Sequence, residues 1–116
     1  MVLGRFKSLS DNKEFAEIYK NGKKWHCLCA VVFFAKFNSQ IGFSPKFSVV
    51  VSKKFGKAHE RNLAKRRVRA AFYALQNKLE DGVFVVVVKN DLKAYSFLEL
   101  SKQLAWSLKR LEALKN

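Results

Sequence analysis

The order of hydrophobic and polar positions predicts a helix near the N-terminus. The apolar positions at helical spacing are Phe15, Ile18 and Tyr19. Asp11 is followed three residues later by Glu14, the pattern of an N-terminal capping box, and Gly22 is placed to end the helix. Without other information, ordinary core packing is the simplest explanation of this apolar stripe.

Three later segments carry the hydrophobic pattern of strands. Residues 25–37 are apolar at both odd and even positions, which predicts one strand buried on both faces or with one face used for binding. After a predicted loop at 38–46, residues 47–52 alternate, with Phe47, Val49 and Val51 on an apolar face. Residues 83–88 are an unbroken run of Val and Phe, typical of a central strand covered on both faces.

Two longer stretches have the period of amphipathic helices. The first begins near Ala58, after Gly56 has broken the strand pattern, and is expected to end near Leu79. Its apolar positions are Ala64, Val68, Ala71, Phe72, Leu75 and Leu79. The second begins at Ser96, which forms another capping box with Glu99. Its apolar positions are Phe97, Leu100, Leu104, Leu108 and Leu111.

The resulting order is helix, strand, strand, helix, strand, helix, and one extra short strand is possible. Helices that alternate with strands in this way predict an α+β fold, an α/β sandwich with three helices packed on a small sheet. The two strands on either side of the middle helix could be parallel neighbours. At 116 residues the chain is expected to form one domain, residues 1–116, with a core of its own.

The net charge of the chain indicates what kind of partner it binds. The chain has 23 Lys and Arg against nine Asp and Glu, a formal net charge of +14, which favours nucleic acid or an acidic membrane surface. No apolar run approaches the roughly 20 residues that cross a membrane. The first residues lack the long apolar region of a secretory signal, so a cytoplasmic location is expected.

The positive charge is concentrated between Lys53 and Arg69. This stretch holds eight cations, which are Lys53, Lys54, Lys57, Arg61, Lys65, Arg66, Arg67 and Arg69, and one carboxylate, Glu60. On a helical wheel, the side chains of Asn62, Lys65, Arg66 and Arg69 share an arc beside the apolar stripe. A solvated helix face is the simple alternative, but such faces usually mix charges of both signs. The pattern therefore favours a polyanion, and the expected helix start adds free amides that favour phosphate.

Residues for catalysis by the protein itself are scarce. The nine carboxylates are scattered and mostly sit at predicted helix starts and turns, whereas a two-metal nuclease needs several at one point. Cys27 and Cys29 lie in the strand-like run and should share a face, where small buried thiols are the simplest interpretation. Even with His26 beside them, they lack a fourth zinc ligand. The residues therefore favour a binding protein over an enzyme that acts alone.

The run SVVVSKKFGKAHERNLAKRRVRAAF, residues 48–72, closely resembles the signature of the protein subunit of bacterial ribonuclease P. In that family a strand ends in Ser, Lys-Lys and Gly follow, and Arg-Asn-Arg and Lys-Arg open a long helix. The matching residues are Ser48 or Ser52, Lys53, Lys54, Gly56, Arg61, Asn62, Lys65 and Arg66. Leu63 departs from the family's second Arg, although it points away from the basic arc and Arg67 lies one turn on. Weaker similarity extends over nearly the whole chain.

The resemblance implies a function, an architecture and a set of contacts. It implies a subunit of a ribonucleoprotein endonuclease, in which the catalytic RNA, with magnesium, hydrolyses the phosphodiester and removes the 5′ leader of precursor tRNA. The RNA-binding residues it implies are Lys53, Lys54, Arg61, Asn62, Lys65 and Arg66, and the charge pattern adds Lys57 and Arg69 to this set. It also implies a left-handed crossover at the basic helix, where the general rule predicts a right-handed one.

A cleft between the first helix and the sheet is implied to hold the single-stranded leader. By alignment its aromatic residues are Phe15, Tyr19 and Phe33, and such rings stack on unpaired bases of any sequence. Tyr19 could equally face the core. The expected partners are the catalytic RNA and precursor tRNA, with one protein monomer per RNA, no membrane, no bound metal and no nuclease activity of the protein alone. The alternatives are a ribosomal or RNA-assembly protein and, less favoured, a metal-dependent nuclease.

Overall fold

A computed structural model describes residues 18–20, 22–36, 46–79 and 82–114. Residues 18–20 are helical and are named α1. The four strands are β1 (Lys23–His26), β2 (Ala30–Lys36), β3 (Lys46–Val50) and β4 (Gly82–Val88). The two long helices are α2 (Ala58–Tyr73) and α3 (Phe97–Arg110). Short 3₁₀ helices cover Lys53–Phe55, Gln76–Lys78 and Asn90–Ala94. The predicted α+β fold with three helices and an extra short strand is confirmed.

The strands form one mixed sheet in the order β1-β2-β4-β3. β1 pairs with β2 and β2 pairs with β4 in antiparallel directions, whereas β3 and β4 are parallel. The prediction that the strands flanking the basic helix are parallel neighbours is therefore confirmed. β4 lies between two partners and six of its seven residues are buried, as its unbroken apolar run predicted.

The two faces of the sheet are covered differently. On one face, Phe34, Phe84 and Phe47 pack beneath α2 and α3, and the Phe47 ring stacks on Phe72 of α2 with centroids 3.9 Å apart. On the other face, Ile18 of α1 packs on a smaller apolar cluster that includes Val85 of β4. The main core therefore lies between the sheet and the two long helices, and α1 lies against the opposite face.

The prediction of one strand over residues 25–37 is wrong in one respect, because the described part of this run is a hairpin. β1 ends at His26, Leu28 and Cys29 form the turn, and β2 begins at Ala30. The Cys27 N–H donates to the Ala30 carbonyl at 2.9 Å, which closes the turn. The turn is apolar and lacks the Gly, Asn or Asp that usually marks a hairpin. Local pattern therefore could not reveal it.

Helix ends also differ from prediction in two places. α2 ends at Tyr73, six residues before the expected Leu79, and Leu79 instead forms an isolated antiparallel bridge with Leu114. Phe97 is 47% exposed and does not belong to the buried stripe of α3, whereas Leu100, Leu104, Leu108 and Leu111 do. Its position at the first turn places Phe97 before the stretch of α3 that rests on the sheet.

Two predicted helix boundaries are confirmed. The Ser96 hydroxyl accepts the Glu99 N–H at 3.1 Å, and the Glu99 carboxylate accepts the Ser96 N–H at 3.0 Å, so this capping box is complete. At the end of α1, the Gly22 N–H donates to the Ile18 carbonyl. A Cβ atom at Gly22 would lie 2.6 Å from that oxygen, so this close approach requires glycine. The first predicted capping box, Asp11 with Glu14, lies outside the described residues.

Among the described residues, no helix combines the length and the apolar character needed to cross a bilayer.

Candidate nucleic-acid interface

The basic helix α2 begins at a loop whose geometry is fixed by Glu60. The Lys57 N–H donates to Glu60 Oε1 at 3.1 Å, and Lys93 Nζ lies 3.1 Å from Glu60 Oε2. The hydrogen bond from the Lys57 amide and then the Lys93 ammonium lower the pKa of Glu60. The only carboxylate of the basic stretch is therefore held at the N-terminus of α2, where the helix dipole favours negative charge.

A shallow groove runs along the exposed side of α2. Its lining residues are His59, Asn62, Lys65, Arg66 and Arg69. The wheel prediction that Asn62, Lys65, Arg66 and Arg69 share an arc is therefore confirmed as geometry. Within the described part of the chain, none of the three cations forms an ion pair, and no carboxylate lines the groove. Unpaired cations around one concave surface suit a phosphate backbone.

The other four residues predicted to bind RNA lie outside this groove. Lys53 and Lys54 are exposed on the 3₁₀ helix Lys53–Phe55, and Lys57 is exposed at the residue before α2. Arg61 is half-buried in the first turns of α2. These cations lie in the loop and helix start that lead into the groove, so a ligand would have to extend beyond the groove to reach them.

The neighbouring side of α2 is different, because its charges already have partners. It carries an apolar depression lined by Phe55, His59, Glu60, Leu63, Ala64, Arg67 and Lys93. The Arg67 guanidinium donates to the Tyr95 carbonyl, and Lys93 Nζ lies over the Phe55 ring at 4.9 Å as well as beside Glu60. Leu63 is 49% exposed there and faces away from the groove, as the wheel predicted. Arg67 lines the same depression.

The aromatic pair predicted to bind a leader lies on the sheet face that carries α1. The Tyr19 and Phe33 rings are 4.9 Å apart in an edge-to-face arrangement, with Tyr19 44% exposed and Phe33 half-buried. Tyr19 therefore lies at the surface. Partial burial raises the pKa of its hydroxyl, so the ring stays neutral. Phe15, the third predicted residue, lies outside the described residues.

Sequence reasoning missed a cation beside this pair. Lys24 of β1 is directly opposite Phe33 of β2 in the antiparallel register, so both side chains are on the same face of the sheet. Lys24 is exposed and, among the described residues, has no ion pair. Recognition of the hairpin would have supplied the signal, because a two-residue turn at Leu28-Cys29 places Lys24 opposite Phe33.

The thiols and the carboxylates do not form a catalytic centre in the described ranges. Cys27 and Cys29 are free and buried, as the simplest interpretation expected, although Cys27 precedes the hairpin turn and Cys29 lies in it, so that they do not share one strand. The hydrogen bond to Cys27 and burial raise the pKa of the Cys29 thiol, which keeps it protonated. Across residues 18–20, 22–36, 46–79 and 82–114, no three His, Cys, Asp or Glu side chains converge as metal ligands.

Comparison with known proteins decides the family. A sequence model of the Ribonuclease P family matches residues 3–112. The chain belongs to the ribonuclease P protein family. The ribonuclease P protein component of Phytoplasma australiense is 34% identical over 98 residues, which span 84% of each chain.

Solved structures agree with this assignment. The ribonuclease P protein of Staphylococcus aureus superposes with a TM-score of 0.81 at 26% identity, over 93% of this chain and 97% of the other. The protein from Thermotoga maritima gives a TM-score of 0.75 at 30% identity, over 90% and 96%. The resemblance inferred from residues 48–72 is therefore confirmed, and the family is that of the protein component of a ribonuclease.

Proposed function

We propose that this chain binds the catalytic RNA of ribonuclease P and the 5′ leader of precursor tRNA, and so promotes removal of the leader. The observation that carries the proposal is the α2 groove, where Lys65, Arg66 and Arg69 are free of carboxylate partners among the described residues. Three of its residues, Asn62, Lys65 and Arg66, belong to the motif by which the resemblance to the family was recognised. The loop cations Lys53, Lys54 and Lys57, together with Arg61, extend the contact to further phosphates.

The chemistry of cleavage belongs to the RNA in this proposal. Hydrolysis of a phosphodiester needs an activated water and stabilisation of charge on the leaving oxygen, which magnesium held by RNA phosphates supplies. Protonated Lys and Arg side chains stabilise charge but do not activate water. The protein, with its net charge of +14, offsets the repulsion between two polyanions, the catalytic RNA and the precursor tRNA. We place it in the cytoplasm as one monomer per RNA.

The leader lies, in this proposal, on the face of the sheet that carries α1. Tyr19 and Phe33 offer aromatic surface for unpaired bases, and Lys24 offers a cation for the adjoining phosphate. Stacking reads the face of a base and not its edge, so the site tolerates leaders of varied sequence. Phe15 is the third aromatic residue of this proposed site.

A cleavage assay tests the proposed function directly. Precursor tRNA is incubated with protein alone, with a bacterial ribonuclease P RNA alone and with both, across a magnesium series. We expect no cleavage by RNA-free protein, strong stimulation of the RNA at low magnesium, and partial replacement of the protein by high magnesium because both screen the same repulsion. Cleavage by protein alone, or a protein requirement that high magnesium leaves untouched, would overturn this division of labour.

A substitution tests the leader site separately. We expect Phe33→Ala to weaken holoenzyme binding of precursor tRNA by about 1–3 kcal/mol, the value of one stacked base, and to spare mature tRNA. Circular dichroism must first show a folded variant, since loss of a half-buried ring also leaves a cavity. Tyr19→Ala and Tyr19→Phe form a matched pair, because only the first removes the ring. Equal losses for precursor and mature tRNA would contradict a leader site and favour a general RNA-assembly protein.

A further inference from the structure

Two indole rings and one guanidinium form a cluster on the outer side of α3. The Trp25 and Trp106 rings are 5.2 Å apart at 81°, and Arg110 Cζ lies 5.5 Å from the first ring centroid and 5.4 Å from the second. We name these three residues the indole cluster. They include both tryptophans of the chain. Trp106 is 44% exposed, so a large part of its ring is available to a ligand.

The indole cluster is separate from the α2 groove. Trp25 lies on β1, which is one edge of the sheet, and α3 contacts β1 and β2. α2 packs beside α3 on the same face of the sheet and contacts β3, which is the opposite edge. A ligand on the indole cluster would therefore occupy a different part of the surface from a ligand in the groove, and each can be tested without the other.

The exposed indole of Trp106 lies outside the stripe by which α3 packs on the core, and its internal contact is with Trp25 of β1. The residues that attach α3 to the core are Leu100, Leu104, Leu108 and Leu111, all at most 4% exposed. At 100° per residue, Trp106 projects from roughly the opposite side of the helix. Trp25 Nε1 is buried and has no hydrogen-bond partner among the described residues. Trp106 therefore lies outside the core stripe of α3, whereas Trp25 packs against the main core and leaves its Nε1 without an acceptor among the described residues.

The charges around the indole cluster are mostly positive. Lys102 lies four residues before Trp106 and Lys109 three residues after it, and both are exposed. This spacing makes them neighbours of Trp106 on the helix surface. Lys23 is exposed on β1 two residues before Trp25, on the same face of the sheet. In the described part of the chain none of these cations, nor Arg110, forms an ion pair.

Two carboxylates lie on the same stretch of chain and do not reverse this balance. Glu99 binds the N–H of its own cap residue, Ser96, at the first turn of α3. Glu112 follows the helix and is exposed. Exposed aromatic surface flanked by unpaired cations is the composition that binds single-stranded nucleic acid.

We infer that the indole cluster is a further RNA contact, distinct from the α2 groove and from the Tyr19 and Phe33 surface, which takes an unpaired nucleotide with its base stacked on Trp106. The phosphates on either side of that base bind Lys102 and Lys109, and the Arg110 guanidinium adds both charge and a planar surface. The inference rests on the proposed function only in taking RNA as the partner. It adds a contact at the β1 edge of the sheet to the α2 groove near the β3 edge, so that the RNA segments on these two surfaces are held at a fixed separation.

Tryptophan fluorescence reports on this surface alone, because both tryptophans lie in it. A short unstructured oligouridine is titrated into the full-length protein. We expect saturable quenching, since a stacked base quenches indole emission, and we expect the affinity to fall as salt rises. An absence of quenching at concentrations where the oligonucleotide binds would overturn the inference.

Substitutions locate the contact within the cluster. Trp106→Ala should weaken oligouridine binding, measured by anisotropy of a labelled oligonucleotide, by about 5-fold to about 150-fold. Phe97→Ala is the matched control, because Phe97 is a similarly exposed aromatic residue on α3, about 14 Å away along the helix axis and on its opposite side. It should leave the affinity unchanged. Equal effects of both substitutions would contradict stacking at Trp106.

Further variants guard against a folding defect and separate this inference from the proposed function. Lys102→Glu with Lys109→Glu changes only exposed side chains and should abolish the quenching in a folded protein. Lys65→Ala with Arg66→Ala should keep the quenching while losing affinity for the catalytic RNA.

If quenching is missing but the Lys65 and Arg66 effect is present, the indole contact is wrong and the proposed function stands. Emission that changes with protein concentration alone would identify a second copy as the occupant and overturn the inference.

Discussion

The cations on the two sides of α2 are used differently. On the groove side, Lys65, Arg66 and Arg69 have no ion pairs among the described residues. On the other side, Arg67 donates to the Tyr95 carbonyl and Lys93 is paired with Glu60. The first set is available to a partner, whereas the second holds the segment Asn90–Ala94 and its neighbours against the helix.

This difference shows that positive charge alone does not identify an RNA contact. Arg66 and Arg67 are adjacent in sequence and identical in chemistry, yet Arg66 lines the groove and Arg67 lines the apolar depression on the neighbouring side of α2. What separates them is the presence of an internal acceptor. The Arg67 side chain is half-buried and committed to the fold, while that of Arg66 is exposed. We therefore expect substitutions on the groove side to change RNA binding, and those on the other side to change stability.

The largest effect is expected for Lys65→Ala combined with Arg66→Ala. Loss of two charged contacts should weaken binding of the catalytic RNA by about 3 kcal/mol, at about 1.5 kcal/mol each. Each lost phosphate contact should also reduce the slope of log affinity against log salt by about 0.7–0.9. Filter binding across a potassium chloride series measures both quantities.

The control for that variant removes the same formal charge elsewhere. Lys78→Ala with Lys93→Ala takes two cations from outside the groove and should change affinity and slope much less. If both double variants behave alike, RNA binding depends on net charge only, and the distinction between the two sides of α2 fails.

A somewhat smaller effect is expected for Arg67→Ala, and it should appear in stability. Removing the guanidinium leaves the Tyr95 carbonyl without its charged donor, which should lower the free energy of unfolding by about 1.5–3 kcal/mol. Urea unfolding measures this change, and the salt slope of RNA binding should stay as in the wild type. Arg66→Ala is the neighbouring control and should alter stability by no more than about 0.5 kcal/mol. An Arg67 variant of normal stability but reduced salt slope would place Arg67 in the RNA interface.

The smallest effect is expected for Glu60→Gln, and it should depend on pH. The Lys57 amide and Lys93 lower the pKa of Glu60 below its ordinary value of 4.5. A carboxylate with a lowered folded-state pKa stabilises the protein above its unfolded-state pKa, and this contribution is lost as pH falls through the folded-state value.

The pH dependence of unfolding measures the contribution of Glu60 to stability. Urea midpoints of wild type and Glu60→Gln are compared from neutral pH down into the acidic range. The wild type should be slightly more stable near neutral pH, and the difference should shrink below pH 4.5. A difference that grows on acidification would show that the ion pair with Lys93 does not stabilise this side of α2.

Much of the fold could be predicted from local pattern. The Ser96 and Glu99 capping box, the buried strand β4 and the basic arc of α2 each depend on residues a few positions apart, so their signals lie in short windows of sequence. The hairpin could not be predicted in this way, because its turn at Leu28 and Cys29 is apolar and continuous with both strands. Its two cysteines are buried in the main core, and the exposed Leu28 N–H between them donates a hydrogen bond to Gln103 Oε1 of α3.

The end of α2 shows the same limit. Leu75 and Leu79 continue the helical spacing, but α2 ends at Tyr73. Leu79 instead pairs with Leu114, which is 35 positions later in the sequence. A long-range backbone bridge and burial of Leu79 take the place of further helical turns. Periodicity shows only that these positions are apolar. A longer α2 and the observed bridge would each place them against the core, so the pattern cannot distinguish the two.

The sequence by itself determined the family, the order of β3, α2, β4 and α3, and the side of α2 that carries Asn62, Lys65, Arg66 and Arg69, because these follow from motifs, from hydrophobic period and from a fixed angle per residue. Only the tertiary structure decided which cations are free. The acceptor for Arg67 is the carbonyl of a residue 28 positions away, and the two tryptophans meet because β1 and α3 pack together. Such pairings depend on the path of the whole chain, which no short window of sequence contains.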